Sequence, residues 1–308
     1  MMNTPLVTVV TVCLNVIQTG RKEMFLQCVE SVRRQTYPRI EHLIIDGAST
    51  DGTIPLLQSL NLSFFSEKDT GIYDAMNKGI ARGKGEYVLF LNTDDFFHSR
   101  SGIEESVRAI EANHADYSYA YQTIFWDEQN DHKKVRRADY WNLLYRMPFC
   151  HQSMLCRRDV LLKEGMFDTR FKSAGDYDFI LRLFLKKYIA VEVKCDFVTF
   201  RIGGESSNNI SLSQKEMVDA FEKNYSPYVY KTRKQWETFL KQGLLPFGLL
   251  PFFPWDKRCY RICCTIRMSF KVIRRKIIRI RIRRTGCWIR LLEKDLIGHK
   301  ELFLSGTL

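Results

Sequence analysis

Apolar residues along this chain fall into two rhythms. Short continuous runs, Leu6 to Val12 (LVTVVTV), Glu41 to Ile45 and Glu86 to Leu91, have the length and β-branched or aromatic content of strands inside a parallel sheet covered on both faces. Between them, apolar positions recur three or four apart. Phe25, Val29 and Val32 predict a helix over about Glu23 to Arg34, and a glycine-bounded segment carrying Tyr73, Asp74, Asn77 and Lys78 predicts another between the third and fourth strands. Further on, Phe179, Ile180, Leu183 and Phe184 mark a helix that starts near Asp176. Strand, turn, helix and strand in alternation predict an α/β fold.

Polar residues cluster where these strands end. The first strand runs to Cys13-Leu14-Asn15, the second to Asp46-Gly47-Ala48-Ser49-Thr50-Asp51-Gly52-Thr53, and the strand ending at Leu91 to Asn92-Thr93-Asp94-Asp95. In open α/β sheets ligands bind beyond the carboxyl ends of strands, where two adjacent acids suit a hard cation with phosphate oxygens. Taken alone, the Asp94-Asp95 pair reads equally well as turn or N-cap residues.

The ordered set decides between these readings. The opening strand to Asn15, IIDGASTDGT, DTGIYDAMNKG, FLNTDD and SAGDYDF together resemble glycosyltransferase family 2, the inverting transferases of the GT-A fold, over about residues 5 to 205. Within the family it resembles bacterial exopolysaccharide, capsule and O-antigen transferases. The resemblance implies a mixed sheet flanked by helices, with a nucleotide-sugar half over about 1–100 and an acceptor half over about 101–210. It also implies site roles. Asp46 would bind the base of a nucleotide sugar, with Asn15 and Asp69 in the same pocket and Asn77 and Lys78 orienting the nucleotide. Asp94 would face the ribose or the metal, and Asp95 would directly bind Mg²⁺ or Mn²⁺ bridging the diphosphate. Asp176 would take the proton of the acceptor hydroxyl, the alternative being a plain N-cap. On the acceptor side, His151 in Cys150-His151-Gln152 and the glycine loop Gly203-Gly204 complete the set, each also readable as structural. The QxxRW motif of processive members such as cellulose and chitin synthases is absent after Asp176, which favours single addition over polymerisation.

Composition adds two points. Nine cysteines, odd in number and without CxxC pairs, suggest neither a zinc cluster nor a disulfide framework, and a reducing compartment is the simplest reading. Residues 1–20 carry no charge, but the run lacks a positive n-region and is broken by Thr8, Thr11, Asn15 and Gln18, so it reads as a core strand rather than a leader. The net charge of +12 sits in the tail, where Lys257 to Leu292 holds thirteen Lys and Arg and no acid. Ile262, Ile266, Phe270, Ile273, Ile277 and Ile280 predict an amphipathic basic helix there, after an aromatic, proline-broken stretch from Leu244 to Trp255. Residues 211–308 are therefore expected to form a helical, basic region, with residues 243–292 against an anionic membrane surface. A protein partner and nucleic acid are the competing occupants, the last disfavoured because no nucleic-acid fold motif accompanies the charge.

The sequence thus predicts a metal-dependent transferase. It would move one sugar from a nucleotide sugar, UDP-linked by preference, to a saccharide or lipid-linked saccharide, in the cytoplasm at the inner face of the cell membrane. The alternative from another class is a non-catalytic relative that binds a nucleotide sugar or glycan and docks a complex at the membrane.

Overall fold

The computed structural model describes residues 4–127, 132–138, 140–144, 146–202, 209–229, 231–242, 279–281 and 288–290. The chain divides into two compact units, residues 1–224 and 225–308.

The first unit is built on a nine-stranded mixed sheet. Strands β1 (Val7–Cys13), β2 (Ile40–Asp46), β3 (Ser63–Ser66) and β4 (Tyr87–Phe90) run parallel in the order β3-β2-β1-β4. Helices α1 (Lys22–Arg33), α2 (Thr53–Ser59) and α3 (Ile72–Arg82) connect them. Parallel neighbours need crossovers of this kind, and each crossover returns the chain so that every strand ends on the same edge. Cys13 consequently lies opposite Asp46 in register, and the acids after β4 emerge beside them.

The sheet continues with strands of mixed direction. Strand β8 (Met154–Arg157) pairs antiparallel with β4, then come β6 (Tyr117–Asp127), β9 (Ala190–Arg201) and β5 (Phe96–Phe97), with β7 (His132–Arg136) off the path beside β6. Helices α4 (Gly102–Asn113), α5 (Arg158–Lys163), α6 (Gly175–Leu185) and α7 (Ile210–Tyr225) complete the fold. β9 pairs parallel with β6 through two register shifts.

The core explains why these runs fold this way. Val7, Val9, Tyr87 and Leu89 pack with Cys28 and Val32 of α1 and with Ile103, Val107 and Ile110 of α4. Cys13 and Val16 meet Phe25, Val29 and Leu57 in a second cluster. Each fully buried aliphatic or aromatic side chain contributes roughly 1.5–3 kcal/mol relative to exposure. The buried hydroxyls of β1 are satisfied: Thr8 Oγ1 donates to Glu41 Oε2 (2.6 Å) and accepts from Gly85 N (2.9 Å). Helix α3 lies so close to β1 that a Cβ on Gly79 would stand 2.4 Å from Val10 Cγ1.

In the second unit, α8 (Arg233–Gln242) follows, with Trp236 stacked on Tyr225. Within the stretch expected to be a basic helix, Arg279–Arg281 and Trp288–Arg290 instead pair as antiparallel strands β10 and β11. β-Branched isoleucines alternating with arginine (Arg279-Ile280-Arg281-Ile282) fit period two as well as they fit a helix. The rest of residues 243–292, like Gly203 and Gly204, lies outside the described residues. Among the described residues no helix is long and apolar enough to cross a membrane.

Candidate active site

A cavity of about 780 Å³ opens at the carboxyl ends of β1 and β4. It gathers four acids, Asp69, Asp94, Asp95 and Asp176, and four bases, Arg21, Arg136, Lys172 and Arg201, together with His151, Asn92 and Gln122. Its apolar wall includes Tyr73, Phe149, Tyr177 and Met217. Opposed charges in one concave site of this volume suit a ligand carrying both phosphates and hydroxyls.

At the end of β4 the two adjacent acids do different work. Asp95 is buried; its Oδ2 accepts from Gln152 Nε2 (2.5 Å) and its Oδ1 from the Arg201 backbone N–H (2.7 Å). Burial and then the neighbouring charge of Asp94 push its carboxyl well above the usual range. Asp94 is half-buried on the same wall, and its carboxylate has no partner among the described residues, whereas its backbone carbonyl accepts from Arg201 Nη1 (2.6 Å). Asp94 thus presents an unpartnered carboxylate to the cavity, while Asp95, the expected direct ligand, is held by Gln152 and the Arg201 backbone. Two acids crowded together, with the orphaned buried oxygens of Asn92 (Oδ1) and Gln152 (Oε1) nearby in the chain or bonded to them, form an oxygen-rich set that suits a hard cation. Among the described residues no group of three or more His, Cys, Asp or Glu could hold a metal alone, so a cation here would need ligand phosphates as well.

Opposite stands a second constellation. Asp176 lies in the first turn of α6; the cap is Ala174 and no side chain caps the helix, so the N-cap alternative is set aside. Asp176 Oδ2 is 2.9 Å from His151 Nδ1, while Oδ1 accepts from the Tyr177 N–H (2.8 Å) and the Tyr73 hydroxyl (3.1 Å). Burial opposes its charge, yet these bonds, His151 foremost, hold the carboxyl below its ordinary value. Tyr73 can come so close because residue 175 is glycine: a Cβ there would meet its ring at 2.8 Å. Asp178 is fully buried and binds Arg182, Lys223 and Asn224, tying α6 to α7.

The two constellations share one short element. His151 and Gln152 are consecutive in a 3₁₀ turn before β8, and the first binds Asp176 while the second binds Asp95.

Other expected site residues are committed elsewhere. Asp46 is fully buried and accepts from Ser49 N (2.9 Å), Ser66 Oγ (2.6 Å) and Ser49 Oγ, which fixes the β2–α2 turn. Asn15, at φ 49°, accepts from Thr50 N (2.9 Å) and ties the first loop to the second. Asn77 clasps the backbone of Phe167 with both ends of its amide (2.8 and 2.9 Å). Lys78 donates to the Lys68 carbonyl (2.7 Å) and pairs with Asp74. None of these four lines the cavity; Asp69 does, its Oδ1 fixed by Gly71 N (2.9 Å). A Cβ on Gly47 would stand 2.6 Å from Asp69 Oδ2, so the glycine lets that carboxylate lie close to the β2–α2 turn.

The model of glycosyl transferase family 2 matches residues 8–188 of this chain. The chain belongs to glycosyltransferase family 2. Among curated relatives of this family 2 transferase is a PGL/p-HBAD biosynthesis glycosyltransferase of Mycobacterium bovis, 29% identical over 163 residues, 51% of this chain and 63% of the relative. The match thus spans less than two thirds of that relative's length. An uncharacterized glycosyltransferase of Mycobacterium tuberculosis is 30% identical over 217 residues, 66% of this chain and 79% of the relative. Two solved structures share the GT-A type fold. The TarS 1–349 complex with UDP-GlcNAc from S. aureus (14% identity, TM-score 0.57) covers 86% of this chain and 80% of its own. A mannosyltransferase from Pyrobaculum calidifontis with GDP-Man and Mn²⁺ (17% identity, TM-score 0.58) covers 85% and 75%.

Proposed function

We propose that this family 2 transferase moves one sugar, with inversion, from a nucleoside diphospho-sugar, preferably UDP-linked, to a saccharide acceptor carried on a lipid. The observation that carries the reading is the His151-Gln152 turn, which joins an acidic donor-side wall to an acid facing it across the same cavity. Displacement at a glycosyl carbon needs the diphosphate leaving group neutralised on one side and a hydroxyl proton removed on the other. The nucleotide sugars held by the two solved neighbours, UDP-GlcNAc and GDP-Man, support the donor class.

Asp94, with Asp95 behind it, would hold Mg²⁺ or Mn²⁺ together with the diphosphate. When bound, such an ion offsets the charge developing on the leaving phosphate. Arg21, Lys172 and Arg136 line the same cavity and add positive potential for the phosphates. The Asp176–His151 pair receives the acceptor's proton, and the walls formed by Tyr73, Phe149 and Tyr177 exclude water from the reacting carbon. We place the reaction in surface-polysaccharide synthesis at the cytoplasmic face of a membrane, held there by the basic residues 257–292.

The test is nucleoside diphosphate release from a panel of UDP- and GDP-sugars, with EDTA, Mg²⁺ or Mn²⁺ present. Release from one donor, lost in EDTA and restored by the cation, is expected. Donor binding without release under every condition would support a non-catalytic binding protein instead.

A further inference from the structure

No motif in the sequence marks Gln122, yet it lines the cavity from strand β6. The residue is only 5% exposed, and neither end of its amide has a hydrogen-bond partner among the described residues. Its backbone is fixed on both sides, opposite Val198 of β9 and Arg136 of β7, and Ser153 Oγ ties the nearby turn to β6 through the Ala120 carbonyl (3.0 Å). A buried amide left unpaired costs free energy that an apolar side chain of the same size would not. The fold therefore holds a hydrogen-bonding group at a set place on the cavity wall without using it.

The chemistry of the amide narrows what can meet it. It is uncharged, offers N–H donors at one end and an acceptor oxygen at the other, and a half-turn of its last bond exchanges the two. An ionised phosphate oxygen only accepts and suits one end, whereas a sugar hydroxyl donates and accepts and suits either. Nearby in the cavity wall, Phe149 presents an apolar ring held by its stack on Tyr119 (4.8 Å between centroids). An apolar surface with a few fixed polar groups is the composition that orients a small ligand, here one with C–H faces and hydroxyl edges. Position separates the acceptor from the donor. The sheet order β1-β4-β8-β6 puts β8, with the His151-Gln152 turn before it, between the acids after β4 and Gln122. Neighbouring strands lie about 4.8 Å apart, so β6 stands roughly 10 Å from β4. A donor with its diphosphate at the acids brings its sugar to the turn, and the next ring out lies at β6.

We propose that Gln122 hydrogen-bonds a hydroxyl of the acceptor saccharide and is a specificity-determining residue for that substrate. The assignment rests on reading the cavity as a transferase site and names a contact within it. Because the amide is already in place, the right saccharide gains the bond without ordering the protein. A saccharide lacking that hydroxyl leaves the amide unpaired and is rejected.

Three measurements on the full chain test this. Gln122→Met and Gln122→Leu lose no hydrogen bond within the protein, so their melting temperatures should hold or rise; a marked fall in both would make the amide structural and overturn the proposal. Binding of p-nitrophenyl glycosides of glucose, galactose, mannose and N-acetylglucosamine is then titrated by NMR with UDP or GDP present, followed by the monodeoxy derivatives of the tightest binder. In the wild type, loss of one particular hydroxyl should weaken binding by on the order of 10-fold. Gln122→Met should bind the parent glycoside about as weakly as the wild type binds that derivative, and should not distinguish the two. Equal deoxy penalties in wild type and variant, or no glycoside bound by the wild type, would overturn the contact. Finally, the affinity ratio of UDP-N-acetylglucosamine to UDP, and of GDP-mannose to GDP, should be the same in wild type and variant; a changed ratio would put Gln122 on the donor sugar and overturn the assignment to the acceptor. Release of nucleoside diphosphate from both donors is followed alongside. Release by the wild type without Gln122-dependent glycoside binding overturns this assignment alone, whereas Gln122-dependent binding with no release from any donor overturns the transferase reading and leaves the hydroxyl contact standing.

Discussion

The two acids after β4 differ in freedom, and that difference can be measured. Asp94 offers an unpartnered carboxylate, so Asp94→Asn should remove cation-dependent activity with little change in melting temperature. Asp95 acts from behind, as outer residues of metal sites do, so Asp95→Asn should cost about 10–100-fold in activity or cation affinity. Because Asn relieves the repulsion with Asp94, stability should hold or rise. Equal loss in both variants, or activity indifferent to EDTA, would contradict the division of labour. A second residue-scale prediction concerns His42, whose Nε2 lies 3.0 Å from Thr11 Oγ1 and whose Nδ1 is buried without a partner. Burial and then Arg33 lower its pKa to about 3. The folded ring is neutral while the unfolded one protonates near pH 6.5, so this contribution to stability is complete above about pH 6.5 and is lost as pH falls toward 3. The loss should approach about 1.4 kcal/mol per pH unit below 6. Urea midpoints of wild type and His42→Gln between pH 7.5 and 5 should converge as the pH drops. Asp94, Asp95, Asp176 and His151 stood in motifs legible in the sequence, and the structure lines one cavity with all four. Asp46, Asn15, Asn77 and Lys78 looked alike in the sequence. Their commitments to Ser66, Thr50, Phe167 and Lys68 depend on loop packing that linear spacing does not encode.

At the scale of elements, the strands with unbroken apolar runs were legible and the antiparallel half was less so. β1, β4 and the second half of β2 are buried on both faces, and their sequences say so. β9 carries Glu192, Lys194 and Asp196 between its apolar residues, and the two-residue β5 is set by pairing with β9 alone. Helix α7 was expected beyond the catalytic part, yet its Glu216 is a tertiary clamp: it accepts the backbone N–H groups of Lys172, Ser173 and Ala174 at 2.8–2.9 Å. This buried carboxylate fixes the loop that delivers Asp176 and Lys172 to the cavity. Glu216→Ala leaves three donors without an acceptor and should destabilise the fold by about 1–3 kcal/mol. Donor hydrolysis should fall further than the unfolded fraction accounts for, because the Asp176–His151 geometry loosens. Glu216→Gln, with one acceptor oxygen kept, should fall between. Thermal melts alongside activity at a temperature well below the melting point separate the two effects. Unchanged specific activity in folded Glu216→Ala would make the clamp purely structural.

For the whole molecule, charge is segregated: the catalytic unit is near neutral, and the excess lies between Lys257 and Leu292. Interactions between charges more than about 10 Å apart are screened at ordinary salt, so a run of thirteen cations acts chiefly on whatever lies against it. The tail's charge is better suited to a large anionic surface, where each Lys or Arg contributes roughly 1 kcal/mol. The aromatic residues Phe247, Phe252, Phe253 and Trp255 immediately before it are the kind that insert at a headgroup interface. Truncation after Gln242 should therefore abolish sedimentation with phosphatidylserine-containing vesicles at low salt. Neutral vesicles should retain neither form, and high salt should release the full chain. All the residues that line the cavity precede residue 218, so the truncated chain should still release nucleoside diphosphate from its donor in solution while losing transfer to an acceptor embedded in the vesicle. Stronger retention on duplex DNA than on anionic vesicles at matched charge would move the tail's partner to nucleic acid. A truncated chain that no longer turns over donor in solution would show that residues 243–308 serve the catalytic unit rather than a surface.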